Sequence, residues 1–387
     1  MKDLEALGES TRIRDGARPS FQSLEFVPDR SSGSDVPIHL YSFSFNLNPD
    51  WTQALAEREE ILQCDSFPPA EKALADTHED IESTVDKFGL RSHFRLNTEC
   101  LGAKWSDKRQ RWDVTFRNRA TKQTFTKTCT VLLSAVGGFS QPRDISFPGM
   151  EAFEGRIFHT AEWDHSFDPT GKKIAVIGNG ASAAQVVPSI APSVKKLTQY
   201  ARSAQWYHER PNRTFSALEK FCFRWIPLWQ RYHRLKLFLQ TDQIAAVYGP
   251  NPGQVEMRRA VEASAREYIY REAPQRYHSF IVPDFPLGCK RRIFDPGYLA
   301  SLHRDNVNLL PEAPAQITST GIISTSGKEE DFDAIILATG FQVQYFLASL
   351  DIVGKTGDSL YDQWEQRRGA QAYMGTFVHN FPNFAIL

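Results

Sequence analysis

Lys172-Lys-Ile-Ala-Val-Ile-Gly178-Asn-Gly180-Ala-Ser-Ala183 joins an apolar run to a GxGxxA turn, and Ala183 to Ile190 continues it in helix-like fashion. The order strand, turn, helix is what a dinucleotide site needs. Gly178 permits a tight turn, Gly180 has no Cβ to obstruct a pyrophosphate, and Ala183 lets helix and strand pack closely. The helix start then offers unpaired N–H groups and a partial positive charge to phosphates. The cofactor-binding residues expected here are Gly178, Asn179, Gly180, Ser182 and Ala183. An ordinary glycine-rich turn is the alternative reading.

The next strand, Lys196-Leu-Thr-Gln-Tyr-Ala-Arg202-Ser203, decides which nucleotide is favoured. An acidic residue at this distance would bond a ribose 2′-hydroxyl, whereas arginine accommodates a 2′-phosphate. No acid stands there and Arg202 closes the strand, which favours NADPH over NADH. A solvated surface arginine is the bland alternative.

Outward from this core the pattern repeats. Trp112, Val114 and Phe116 alternate with polar residues, a turn follows at 118–122, and Val131-Leu-Leu-Ser-Ala-Val-Gly137 reads as a buried strand. The same plan returns as Gln316 to Thr325 followed by Phe332-Asp-Ala-Ile-Ile-Leu-Ala-Thr-Gly340. Two related α/β units are therefore expected. Residues 206–280 change to long helical stretches rich in aromatics and arginine, an insertion expected to cover the site. Its row of Phe221, Phe223, Trp225, Trp229 and Tyr232 reads as helix core. Trp51 to Gln63 has helical spacing, Val85 to Gly89 looks like a helix end closing on glycine, and Cys64 to Thr84, with Pro68-Pro69 and an acidic run, reads as an exposed insertion. Residues 1–34 show no period and read as tail or loop.

The chain has 387 residues, enough for two domains. Lys plus Arg is 45 and Asp plus Glu is 46, so the charge of −1 gives no bulk field toward nucleic acid or anionic lipid. Five cysteines at irregular spacing, without a CxxC pair, fit a reducing compartment and argue for no metal site. The start lacks the apolar run of a secretory signal, and Phe221 to Tyr248 is broken by Arg224, Arg231, Arg234 and Lys236, far short of a membrane span. A cytoplasmic protein is expected.

Upstream of the glycine turn stands Phe147-Pro-Gly149, then Phe153-Glu-Gly155-Arg-Ile-Phe-His159-Thr-Ala-Glu-Trp163-Asp164. This string resembles the FxGxxxHxxxW(P/D) fingerprint of Baeyer–Villiger monooxygenases, within the flavin-containing monooxygenases. Residues 35–45 look like the family's segment after its flavin-contacting tryptophan loop. Gly288-Cys-Lys-Arg291, with Tyr298 and residues 304–307, is similar to its active-site arginine segment. Ala338-Thr339-Gly340-Phe341 matches its linker, and residues 375–383 look like its return to the flavin domain. The resemblance runs from about Asp35 onward.

It implies two Rossmann-like domains of the flavoprotein monooxygenase type: a partial FAD-binding domain over 35–141 and 341–387, and an NADPH-binding domain over 142–340. It also implies FAD, NADPH and dioxygen acting on a ketone through a peroxyflavin to give an ester or lactone. Apart from the resemblance, no sequence feature supports a nucleic-acid or membrane role, and no membrane span is expected. Arg291 would be the fixed cation beside the developing negative charge and Asp35 its orienting carboxylate; the plain readings are a surface salt bridge and a turn aspartate. His159 would serve linker movement rather than proton transfer, with Phe153, Gly155 and Trp163 fixing that linker. Lys290 would reach the nicotinamide-side ribose or phosphate, Gln185 would face the nicotinamide cofactor, and Thr339 and Gly340 would line the same site. Family members open with a second GxGxxG unit and a GGTW-type loop, which residues 1–34 lack. The flavin domain is thus expected to be incomplete. The sequence also stops at Leu387 where family members continue, and a partial or incorrect gene model would explain both ends together with the 64–84 insertion. The competing readings are a catalytically impaired NADP(H)-binding relative and an N- or S-oxygenating enzyme of the same superfamily.

Overall fold

The computed structural model describes residues 36–56, 84–347 and 349–387. These fall into two compact units, a flanking one of residues 84–144 with 340–387 and a central one of residues 36–56 with 145–339.

In the flanking unit, β1 (Thr98–Ser106), β2 (Arg111–Asn118) and β3 (Thr124–Cys129) form an antiparallel sheet, and β15 (Asp351–Val353) adds to β1 in parallel. The alternation in β2 sends Trp112, Val114 and Phe116 into the core, as their spacing predicts. At Gly102 a Cβ would stand 2.4 Å from the Asp351 carbonyl oxygen, so glycine is what lets β15 approach the bulged part of β1. Trp105, Trp112, Trp364, Phe381 and Phe384 dominate this core. Val85 to Gly89 does end a helical turn, with Gly89 at φ 63°.

The strand expected over Val131 to Gly137 is shorter and less buried than its composition suggests. Only β4 (Leu132–Ser134) is extended in register, paired in parallel with β16 (Phe384–Ile386) alone, and Val131 and Leu133 face solvent. An apolar run is buried on both faces only when layers cover both, and β4 has one strand neighbour among the described residues.

The central unit holds a five-stranded sheet in which every neighbour is parallel: β10 (Val307–Leu310), β7 (Lys196–Tyr200), β6 (Lys173–Ile177), β14 (Ala334–Leu337) and β5 (Arg156–His159), in that order. β6 and β14 are almost continuously apolar and buried. From β6 the chain crosses through α1 (Ala181–Ile190) to β7, while β14 and β5 lie on the other side of β6. The direction of winding therefore reverses beside β6, which is where open α/β sheets take ligands at their strand ends. The antiparallel trio β11 (Pro314–Ile317), β12 (Gly321–Ser324) and β13 (Glu329–Asp331) precedes β14, completing the second copy of the plan read from the sequence.

The helical stretch supplies α2 (Ala217–Trp225), α3 (Trp229–Ala245) and α4 (Pro252–Glu272). Ser216 and Glu219 form a capping box at the start of α2, and α4 has Pro252 in its first turn. Short parallel strands β8 (Tyr207–His208) and β9 (Ile293–Phe294) bracket the helices.

Two expectations fail here. Of the aromatic row, only Phe223 is core; Phe221, Trp225, Trp229 and Tyr232 are exposed. Trp51 to Ala56 is not helical: Gln53 bridges Thr214, and the Ala54 and Phe215 amides donate to the Arg213 and Thr52 carbonyls. That pairing satisfies the backbone while Trp51 and Ala56 pack with Phe215 and Phe223, so tertiary contacts override the local helical spacing. The rest of that predicted helix, and the 64–83 part of the predicted insertion, lie outside the described residues.

Candidate nucleotide-binding site

The turn after β6 is shaped by its neighbour. Gly178 has φ 117°, and a Cβ there would lie 2.3 Å from the Ala338 carbonyl oxygen at the end of β14. Gly180 caps α1 without any side-chain hydrogen bond, and the space where its Cβ would project is open. Ala183 is fully buried against the sheet. The first-turn amides of α1 are left without side-chain acceptors at an open surface, the arrangement that receives anions.

Side chains fix the turn from beneath. Gln199, buried mid-strand in β7, donates through Nε2 to the Gly178 carbonyl (2.8 Å) and accepts at Oε1 from the Tyr298 hydroxyl (2.7 Å). Tyr207 donates to the Asn179 carbonyl (3.2 Å) and stacks on Tyr298, ring centroids 5.1 Å apart. The Asn179 amide donates to the Ser203 carbonyl (2.6 Å), tying the turn to the end of β7. The Gly178 and Asn179 carbonyls thus bond into the protein. Burial pushes the Tyr207 hydroxyl well up and the Tyr298 hydroxyl up beyond the ordinary phenol range, so both act as donors at all physiological pH values. Asp295, buried, accepts from the Gly297, Tyr298 and Leu299 amides and the Tyr268 hydroxyl, which anchors Tyr298; its burial raises its pKa. Sequence reasoning missed Gln199 and Tyr207, and it placed Tyr298 only in the arginine segment rather than under this turn. The available signal was a glutamine inside an otherwise buried central strand.

At the end of β7 two cations meet. Lys290 donates to the Ser203 hydroxyl and to the Ala204 carbonyl (3.1 Å), and its Nζ lies 5.0 Å from the Phe285 ring centre. Burial, with the charge of the exposed Arg202, lowers the Lys290 pKa. Two buried oxygens of this unit, Gln185 Oε1 in α1 and Thr339 Oγ1 after β14, have no protein partner among the described residues. Ser182 is half-buried in the first turn of α1. Gly340 has φ 82° and open space around it, and it belongs to the flanking unit, where its carbonyl accepts from the Arg143 amide. Arg291 is exposed, and Asp35 lies outside the described residues.

The model of the family described as flavin-binding monooxygenase-like matches residues 67–217. A Baeyer–Villiger monooxygenase of Pseudomonas aeruginosa is 32% identical over 395 residues, covering 98% of this chain and 69% of its own length. The chain belongs to the Baeyer–Villiger monooxygenase family. A Streptomyces coelicolor member is 31% identical over 90% of this chain, and the Aspergillus niger FAD-binding monooxygenase ktnD is 32% identical over 92%. The chain spans 62% and 56% of those two relatives. Among solved structures, OTEMO in complex with FAD and NADP superposes with a TM-score of 0.75 at 22% identity, over 98% of this chain and 73% of its own. Cyclohexanone monooxygenase from Rhodococcus sp. Phi1 bound to NADP+ gives 0.71 at 22%, over 96% and 73%. These show the two-domain α/β fold of the flavoprotein monooxygenases.

The family fingerprint runs from Phe153 into β5 and beyond. Phe153 packs in the core beneath β14, and a Cβ on Gly155 would meet the Asp333 carbonyl oxygen and the Phe153 ring at 2.6 Å. His159 is buried, its Nδ1 accepting from the Ala161 amide (3.0 Å). Trp163 meets Phe158 edge to face at 5.1 Å. Asp164 holds Arg156 (2.6 Å) and takes two bonds from Ser166, which keep its carboxyl below the usual range.

Proposed function

We propose that this chain is a FAD- and NADPH-dependent monooxygenase that converts a ketone to an ester or lactone with dioxygen. The central unit holds the nicotinamide dinucleotide. Its residues fit that group: the turn lacks Cβ atoms where a diphosphate would lie, its carbonyls are turned away, and Gln185 and Thr339 present buried oxygens with no partner among the described residues. Asn179 and Gln199 hold the turn, and Ser182 and Ala183 open the helix that faces the diphosphate. Arg202 receives the 2′-phosphate together with Lys290, whose bonds to Ser203 and Ala204 favour this role over the nicotinamide-side one that the resemblance implies. The single observation that carries NADPH over NADH is the placing of Lys290, bonded to Ser203 and Ala204, at the strand end that carries Arg202; burial lowers the Lys290 pKa and the Arg202 charge adds to it. A dianion between them would relieve that repulsion.

FAD, when bound, supplies the oxygen-transferring chemistry. Arg291 stands as the fixed cation for charge developing on the oxygen side, because guanidinium stays protonated and presents several donors, and Asp35 as its orienting carboxylate. The fingerprint residues Phe153, Gly155, His159 and Trp163 secure the linker, with Gly340 at its far strand. The flanking unit contains no strand, glycine turn and helix in succession among its described residues, so no residue is assigned to the flavin diphosphate.

That same observation supports a second reading, an NADP(H)-binding relative that does not retain flavin. The full chain, purified and mixed with FAD, separates them. Flavin bands retained after desalting, with ketone-dependent NADPH oxidation and an ester product, support the first. A colourless protein that NADPH still stabilises supports the second. Absence of any stabilisation by NADPH would sink both.

A further inference from the structure

We propose that the α2–α3 hairpin is a docking surface for an anionic lipid membrane, a role independent of the proposed reaction. α2 turns Leu218, Phe221 and Trp225 outward at 71%, 56% and 66% exposure, spaced three and four apart. Leu228 at the N-cap of α3, then Tyr232, Leu235 and Leu239 within it, follow at 71%, 60%, 54% and 50%, spaced four, three and four. This is the period of a helix face made to be covered, yet it points to solvent. The opposite side of α3 is where the protein holds it. Gln230 donates to the Asn48 carbonyl (2.6 Å), Arg234 to the His39 and Ser42 carbonyls, and His233 packs on His39 and Phe223. Arg224 of α2 pairs with Asp50, and the capping box pins its start. The outward stripes are therefore set by packing.

Charge selects the occupant. Residues 217–245 carry five basic side chains (Lys220, Arg224, Arg231, Arg234, Lys236) against Glu219 and Asp242, in a chain of net charge −1. Glu219 is already occupied by Ser216 and Arg213. Exposed Arg231 and Lys236 flank the stripe and form no ion pair among the described residues. A second copy paired antiparallel about Tyr232 and Leu235 would set Arg231 against Lys236, like charge against like. Anionic headgroups complement both. Trp225, Trp229 and Tyr232 are side chains that settle at headgroup depth, and the flanking basic chains reach outward to phosphate. No helix among the described residues is long and apolar enough to cross a membrane, so the contact is peripheral.

Flotation of the full chain with phosphatidylcholine vesicles, with and without phosphatidylserine, tests this. Binding to the serine-containing vesicles that falls with added salt is expected. Y232E/L235E should abolish it, and Arg231→Glu and Lys236→Glu should each lower partitioning at least about fivefold. NADPH-induced stabilisation should persist in all variants, which excludes misfolding. The proposal is overturned if the chain stays with the unbound fraction. It is also overturned if Y232E/L235E floats like the parent, or if light scattering shows a dimer that this variant dissociates.

Discussion

Each unit of this molecule ends an apolar strand in a glycine turn, β6 at Gly178 and β4 at Gly137, and the two turns are held differently. In the central unit β6 lies between β7 and β14, and the turn that follows it is dictated: Gly178 at φ 117° faces the Ala338 carbonyl at a distance no Cβ can occupy. Among the described residues of the flanking unit β4 pairs only with β16, and Gly137 at φ 73° has nothing within 4 Å of a Cβ position. A glycine turn is thus compelled by the strand beside it. Each unit leaves a buried hydroxyl oxygen without a partner among the described residues, Thr339 Oγ1 in the central unit and Ser134 Oγ at the end of β4. The units differ most in how many protein groups converge on the turn.

Acid should separate them furthest. Burial lowers His39 to about 3, with His233 and Arg234 adding to it, and lowers His208 to about 4, with Arg292 adding. Both belong to the central unit. Against an ordinary histidine near 6.5, the unfolded chain takes up more protons as pH falls from about 6.5 to 4, so stability present above 6.5 is progressively lost through that window. The flanking unit's His93 and His379 are exposed. Hydrogen exchange at pH 7 and pH 4.5 should show central-unit amides losing protection first. Equal loss in both units would break the contrast.

Backbone substitution comes next. Gly178→Val should cost at least about 3 kcal/mol, combining a disfavoured φ with collision against backbone, and should abolish NADPH-induced stabilisation. Gly137→Ala meets only the left-handed penalty, about 1–2 kcal/mol. Chemical denaturation of the two variants measures the difference, and equal losses would refute the role given to Ala338. Gln199→Leu should cost about 1–3 kcal/mol, since it strands a buried carbonyl and the Tyr298 hydroxyl, and NADPH affinity should fall with it.

Arg202→Ala should weaken NADPH about tenfold or more while leaving NADH unchanged, because a charge-assisted bond to phosphate is lost without disturbing the turn. Lys290→Ala should weaken NADPH similarly, with a smaller loss for NADH because the Lys290 bonds to Ser203 and Ala204 go as well. Titration calorimetry with both nucleotides reads this directly. An unchanged preference would return Arg202 to the status of a solvated surface arginine.

How much of this was legible in the sequence follows from the range of the interactions. The turn 178–183 is local, so glycine spacing between an apolar run and a helix reveals it, and β2 is equally plain from its alternation. The supports under the turn are not local: Tyr298 reaches Gln199 across 99 positions, and Tyr207 reaches Asn179 across 28. No period encodes such pairs. The outward row of α2 and α3 misled for a related reason. Periodicity identifies a face that wants cover but is silent about what covers it, so a stripe read as core became surface. Trp51 to Ala56 failed because pairing with residues 213–215 outcompeted a short helix. Asp35 lies outside the described residues, so the resemblance alone supports its role.

The smallest effect sharpens the contrast from the other side. Trp112 of β2 donates its indole N–H to the Pro382 carbonyl at 2.8 Å, a long-range bond from side chain to backbone like that of Gln199 to Gly178. Trp112→Phe keeps most of the ring volume and removes that donor, so a loss of about 1 kcal/mol is expected. The two bonds are alike in kind and differ in what they hold. Gln199 fixes the turn that faces the nucleotide, whereas Trp112 closes the core of the other unit. Trp112→Phe should therefore lower the denaturation midpoint slightly and leave NADPH affinity at its parental value. A matching fall in affinity would mean that the nucleotide turn depends on the flanking core as well as on Gln199, Tyr207 and Tyr298.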